Sequence, residues 1–139
     1  MRLDSLWISA VARCAPPGNK PTPGEQRNCA PWLDEELCLL TELRVVVCLG
    51  KIAFDGFLNH QLRAGRINSR SGFSFRHGSE YALPGGTILI ASYHPSLQNT
   101  NTGKLTRAMF LDIFLRARKA ADLDSTRMAV IETEKNTRG

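Results

Sequence analysis

The run Arg44-Val-Val-Val-Cys-Leu49 constrains the fold of this chain more than any other segment. Its unbroken apolar stretch leaves no polar face for a half-solvated strand, so it predicts a strand covered on both sides, as in a parallel sheet. A helix is predicted before it. Thr22-Pro23-Gly24-Glu25 has the form of a capping box with proline at the first helical position, and Cys29, Leu33, Leu37 and Leu40 recur at spacings of three and four. Gly50 turns the chain into a second helix carrying Ile52, Ala53, Phe57 and Leu58. Pro84-Gly85-Gly86 punctuates the entry to another strand from Thr87 to Ser92, and Leu105, Met109, Phe110, Ile113, Phe114 and Ala117 mark a last helix. With a short strand from Leu6 to Val11, the alternation predicts a three-layer α/β/α fold around a parallel sheet. The expected domain spans 1–124, and the polar, unpatterned stretch 125–139 reads as a disordered tail.

A chain of 139 residues is about one domain's worth. Its 18 Lys and Arg against 13 Asp and Glu give a net charge of +5, which leans toward a polyanionic partner without specifying one. No apolar run approaches the roughly 20 residues a membrane helix needs. The opening residues lack a charged region followed by a long apolar stretch, so the expected location is intracellular. In that compartment four cysteines read as free, metal-bound or catalytic thiols rather than disulfides.

Two segments carry candidate chemistry. The first is Cys14-Ala-Pro-Pro-Gly-Asn-Lys-Pro-Thr-Pro-Gly-Glu-Gln-Arg-Asn-Cys29; the second is Ser92-Tyr-His94-Pro-Ser-Leu-Gln-Asn-Thr-Asn-Thr-Gly103, directly after a strand. His94 therefore stands at a strand's carboxyl end, where open α/β sheets place ligands. Taken alone, each residue also has a plain reading. Cys14 and Cys29 serve equally as small buried hydrophobes, Asn19 as a turn former, His94 as a hydrogen-bonded structural residue, and 95–104 as a solvated loop. Cys38 and Cys48 lack zinc-site spacing and read as core or helix-surface residues. The arginines at 63, 66, 70 and 76 read either as contacts to a nucleic-acid backbone or as a solvated surface.

Taken together, these words resemble the C-terminal half of the iron-sulfur uracil-DNA glycosylases, and most closely type 5 (the B-type), over about Leu6 to Ala121. The resemblance implies a base-excision repair enzyme that hydrolyses the N-glycosidic bond of uracil, and of other deaminated bases, in DNA. It implies that His94 stabilises the charge developing on the departing uracil and that Asn19 reads the base edge. The loop Pro95-Ser96-Leu97-Gln98 would enter the minor groove behind a flipped nucleotide, with Leu97 as the wedge and Ser96, Asn99, Thr100 and Lys104 near phosphates. Cys14 and Cys29 would be two of the four thiolates of a [4Fe–4S] cluster. His77, within Phe75-Arg-His-Gly78, fits the family's wording as a loop or structural residue, and His60 reads as an ordinary helix-end histidine. The implied partner is damaged DNA in a bacterial or archaeal cytoplasm, bound by a monomer and without a membrane.

The resemblance also implies what is missing. The family's N-terminal half supplies the other cysteine pair, a Gly-Leu-Ala-Pro motif with a catalytic aspartate, and a central strand lying between those read here as Leu6–Val11 and Arg44–Leu49. None has a counterpart in this sequence, so a gap is expected in the sheet. Two readings follow: part of a uracil-DNA glycosylase, or a non-enzymatic remnant that binds nucleic acid or depends on a partner.

Overall fold

In the computed structural model, residues 6–12, 23–40, 43–122 and 127–134 are described. The strand β2 (Leu43–Leu49) is the axis of the molecule. Its residues alternate between two cores: Val46 and Cys48 face one side of the sheet, while Val45, Val47 and Leu49 face the other. All five are buried, which is why the sequence there has no polar face. Next to it, β4 (Ile88–Ser92) runs parallel with Val46 opposite Leu89, Val47 opposite Ile90 and Cys48 opposite Ala91. This register puts Leu89 and Ala91 in the first core and Ile90 in the second.

Helices cover both faces, giving the three layers. On one side α1 (Pro23–Leu39) contributes Leu33 and Leu37, and α2 (Lys51–Arg63) contributes Ala53, Phe54, Phe57 and Leu58. On the other, α4 (Arg107–Asp122) contributes Ile113 and Ala117, flanked by Phe110 and Phe114. Burying one such Leu or Phe side chain is worth roughly 1.5–3 kcal/mol, so these helices are held by their apolar stripes more than by propensity. A polar tie supplements the α1–α2 contact. His60 is 4% exposed, and its Nδ1 lies 2.7 Å from Oδ1 of Asp34, a carboxylate that also accepts from Nε and an Nη of Arg63. The expected helix-end histidine is therefore a buried interhelical one.

The sheet departs from expectation in three ways. Its order is β1-β5-β2-β4-β3, and the expected central gap is filled: β5 (Arg127–Glu134) lies between β1 (Leu6–Ala12) and β2, parallel to both. Val130 pairs with Ile8 on one side and Val47 on the other. A segment expected to be part of a disordered tail is thus an interior strand. The short apolar run Met128-Ala-Val-Ile131 is masked in sequence by its charged flanks, but it is long enough to satisfy the facing backbone edges of β1 and β2, whose N–H and C=O groups cost about 1–3 kcal/mol each if buried unpaired. Finally, the sheet is mixed, because the three-residue β3 (Glu80–Ala82) pairs antiparallel with β4 at one edge.

Candidate functional site

Parallel strands end together, so the carboxyl ends of β2 and β4 define one rim. The two are joined there by a hydrogen bond in which Gly50 N–H donates to the Ser92 carbonyl at 2.8 Å. The chain leaves β1 at the same rim after Ala12, toward the segment 13–22. The expected cluster ligand Cys14 and the expected base reader Asn19 fall in that segment and lie outside the described residues.

His94 follows β4 directly. It is half-buried, and its ring packs against Gly50, whose backbone adopts φ 93° and ψ 164°. That region of backbone space is essentially open to glycine alone. The His94 carbonyl accepts from Ser96 N–H and from the Asn99 side-chain Nδ2, both at 2.8 Å. Ser96 then caps the short helix α3 (Leu97–Asn101), its hydroxyl accepting from Asn99 N–H at 3.2 Å. The sequence Ser96-Leu-Gln-Asn99 folds this way because serine is a favoured N-cap and its hydroxyl reaches the third helical amide. Burial holds the His94 imidazole below its ordinary titration range, so at neutral pH it is an uncharged ring able to donate one N–H.

The expected nucleic-acid loop takes a definite form. Pro95 and Gln98 are exposed, as is Lys104, whose Nζ sits 4.8 Å above the centre of the Tyr93 ring. Asn99, expected near phosphates, instead directs its amide at the His94 carbonyl. Thr100 donates its hydroxyl to the Ser96 carbonyl at 3.0 Å. The backbone of Leu97 opens α3. Within the arginine-rich loop, Arg63 is engaged by Asp34 and Arg70 by Asp55, whereas Arg66 and Arg76 are exposed.

Two carboxylates near this end of the fold are committed to ion pairs. Asp55 holds Lys51 as well as Arg70, and Glu80 accepts from Arg116. Sequence reasoning missed three features here: the approach of Gly50 to His94, the inward turn of Asn99, and the hydrogen bond from Tyr93 N–H to His77 Nδ1 at 3.0 Å. Only the first left a trace, a glycine directly after a buried strand. The Asn99 bond is local but lies in a loop without a periodic pattern, and the His77 bond depends on longer-range pairing. A cavity of about 610 Å³ lies at the opposite rim, among Leu43, Arg44, Arg66 and Thr87, remote from His94.

Among the described residues no group of three or more His, Cys, Asp or Glu gathers as a metal site. Cys29 is half-buried on α1, Cys38 is exposed, and Cys48 is buried, its thiol pushed far up by burial. The described residues therefore do not assemble a four-thiolate site. No helix among them is long and apolar enough to cross a membrane.

Comparison with known proteins converges on one family. The family model described as "Uracil DNA glycosylase superfamily" matches residues 3–118. The type-5 uracil-DNA glycosylase of Thermus thermophilus is 52% identical over 124 residues, covering 88% of this chain and 54% of that protein. That of Pyrobaculum aerophilum is 39% identical over 117 residues, 84% of this chain and 47% of the relative. A type-4 uracil-DNA glycosylase of Thermotoga maritima is 28% identical over 115 residues, 81% of this chain and 55% of the relative. The chain thus spans about half the length of the curated relatives it matches.

Proposed function

The chain belongs to the uracil DNA glycosylase superfamily, and from that membership we propose that it carries one wall of a uracil-excision site, with His94 as the group that stabilises the departing base. The observation that carries this reading is the placement of His94: half-buried and uncharged at the joined carboxyl ends of two parallel strands, with its main chain fixed by Ser96 and Asn99.

Cleavage of the N-glycosidic bond leaves the bonding electrons on uracil, whose O2 gains negative charge, while the sugar becomes oxocarbenium-like and is captured by water. A neutral imidazole N–H directed at O2 stabilises the state in which that charge develops, and contributes little before bond breaking begins. Asn19 is proposed to pair with the N3–H and O4 edge, a pattern that cytosine inverts. Pro95, Ser96, Leu97 and Gln98 would occupy the minor groove as the target nucleotide leaves the stack, with Lys104 beside the backbone. Asp55 and Glu80, held by their cationic partners, are not assigned to water activation. Cys14 and Cys29 are proposed as this chain's two ligands to a [4Fe–4S] cluster, a structural group, with the remaining two thiolates supplied from outside this sequence. The substrate is proposed to be DNA containing uracil or another deaminated base, processed by a monomer.

Single-turnover excision on uracil-containing duplexes tests the assignment. His94→Ala should lower the chemical rate by about 10²–10³, the usual cost of losing one such donor, while binding to abasic DNA is retained. An unchanged rate would make His94 structural. The second reading, a DNA-binding module without its own glycosylase activity, is favoured by the engagement of Asp55 and Glu80 in ion pairs, which leaves neither free to activate water. Retained DNA binding with no excision by the wild-type chain would select it.

A further inference from the structure

His77 is a half-buried histidine with no part in the proposed excision chemistry, although it touches the segment that carries His94. Its Nδ1 accepts the Tyr93 N–H at 3.0 Å, and its ring stacks on the Tyr93 ring with centroids 4.8 Å apart and planes inclined by 28°. Because Nδ1 accepts, it bears no proton, so the neutral ring carries its hydrogen on Nε2. Tyr93 is the residue between the end of β4 and His94. The bond to its amide, together with the stacking of its side chain, fixes the peptide immediately ahead of His94.

The main chain that follows His77 is itself held on two sides. Gly78 N–H donates to the Ala91 carbonyl at 2.8 Å and Ala91 N–H to the Ser79 carbonyl at 3.0 Å, so the segment after His77 is paired to β4. From α4, Arg116 donates to the Gly78 carbonyl at 2.9 Å and to Glu80 Oε1. Burial, aided by the Arg116 charge and opposed by Asp112, holds His77 below the ordinary imidazole range. Lys104, over Tyr93, adds a further positive charge to this group. A residue whose ring is bonded at the rim of the site, and whose following main chain is paired to β4 and bonded from α4, is more constrained than a surface loop requires.

We infer that His77 is a positioning residue: as the Nε2–H tautomer it accepts the Tyr93 amide and thereby sets the main-chain path that aims His94. The inference rests on the proposed role of His94 for its catalytic consequence, but its geometric part stands apart from it. An acceptor at the Nδ1 position is the requirement. Asparagine can place an amide oxygen there; leucine cannot, and glutamine places its oxygen nearer the Nε2 position.

The test uses the full chain in two arms. In the first, the Tyr93 amide and His94 imidazole resonances are followed by NMR in wild type, His77→Leu and His77→Asn. The inference expects both sets of signals to move in His77→Leu and to return to near wild-type positions in His77→Asn. Signals unmoved in His77→Leu, or equally displaced in His77→Asn, would overturn it. If His77→Leu does not fold, His77→Gln replaces it with the same expectation. The second arm measures single-turnover excision. His77→Leu should lose about 10- to 100-fold in the chemical step, the scale of a small misplacement of a reacting group, with DNA affinity unchanged and recovery in His77→Asn. A wild-type chain that excises no uracil overturns the glycosylase reading alone, because the NMR arm still decides whether His77 positions His94. Full excision by His77→Leu in an active chain overturns the positioning role.

Discussion

Gly50 lies against His94 so closely that a Cβ built on it would stand 3.2 Å from the His94 Cβ. The glycine also occupies a backbone region that costs a side-chain-bearing residue about 1–3 kcal/mol. Gly50→Ala is therefore expected to lower stability by about that amount in denaturant titration and to displace His94 as well. The second effect separates it from an ordinary destabilising change. Excision measured well below the melting transition should remain reduced, and recovery of the full rate on cooling would show that the contact does not govern His94.

Asn99 and Lys104 come from the same loop but have different surroundings, which predicts different phenotypes. Asn99 spends its side-chain donor on the His94 carbonyl, so Asn99→Ala should reduce excision while leaving the salt dependence of DNA binding unchanged. Lys104 is exposed, and Lys104→Ala should weaken binding across sequences and lower the slope of log K against log salt by about 1. DNA affinities between low and moderate salt check both; a changed slope for Asn99→Ala would assign its amide to a phosphate.

The chain has three histidines, and burial holds all of them below the ordinary imidazole value of 6.5. Below that value the unfolded chain binds more protons than the folded one, so stability rises with pH through this window. It should be fully present above about pH 6.5 and fall progressively as pH drops toward the folded values. Asp34 adds a second loss at lower pH: Arg63 and His60 hydrogen bonds lower its pKa despite opposing burial, so its contribution disappears as pH falls through that depressed value. Urea unfolding across this range measures the slope, and His60→Gln should flatten part of it. Stability independent of pH from neutral to mildly acidic conditions would contradict the buried neutral state.

A proline at Val130 probes the interior position of β5. The residue pairs with Ile8 and Val47, and proline is essentially confined to edge strands because it cannot donate to a ladder. Val130→Pro should abolish the cooperative thermal transition or shift it strongly downward, whereas the same change in a solvated tail would be silent. Circular dichroism on heating distinguishes these outcomes.

Much of this architecture is written locally. The alternation of Val45, Val46, Val47, Cys48 and Leu49 between two cores is legible because a strand buried on both faces needs an unbroken apolar run. The start of α1 at Pro23 and the apolar stripes of α1, α2 and α4 follow from proline's fit to the first helical position and a 3.6-residue period. The position of His94 after a strand is equally local, and so is the family resemblance of the words around it. Tertiary structure decided the rest. A strand as short as β3 has almost no periodicity to read, and β5 becomes a strand because two parallel edges need pairing between them. The tautomer of His77 and the fit of Gly50 to His94 arise from segments brought together by the sheet, whereas the inward turn of Asn99 is set within its own loop. Sequence set the chemistry available at the rim through side-chain identity; long-range register set its aim, because hydrogen-bond direction is a property of the assembled backbone.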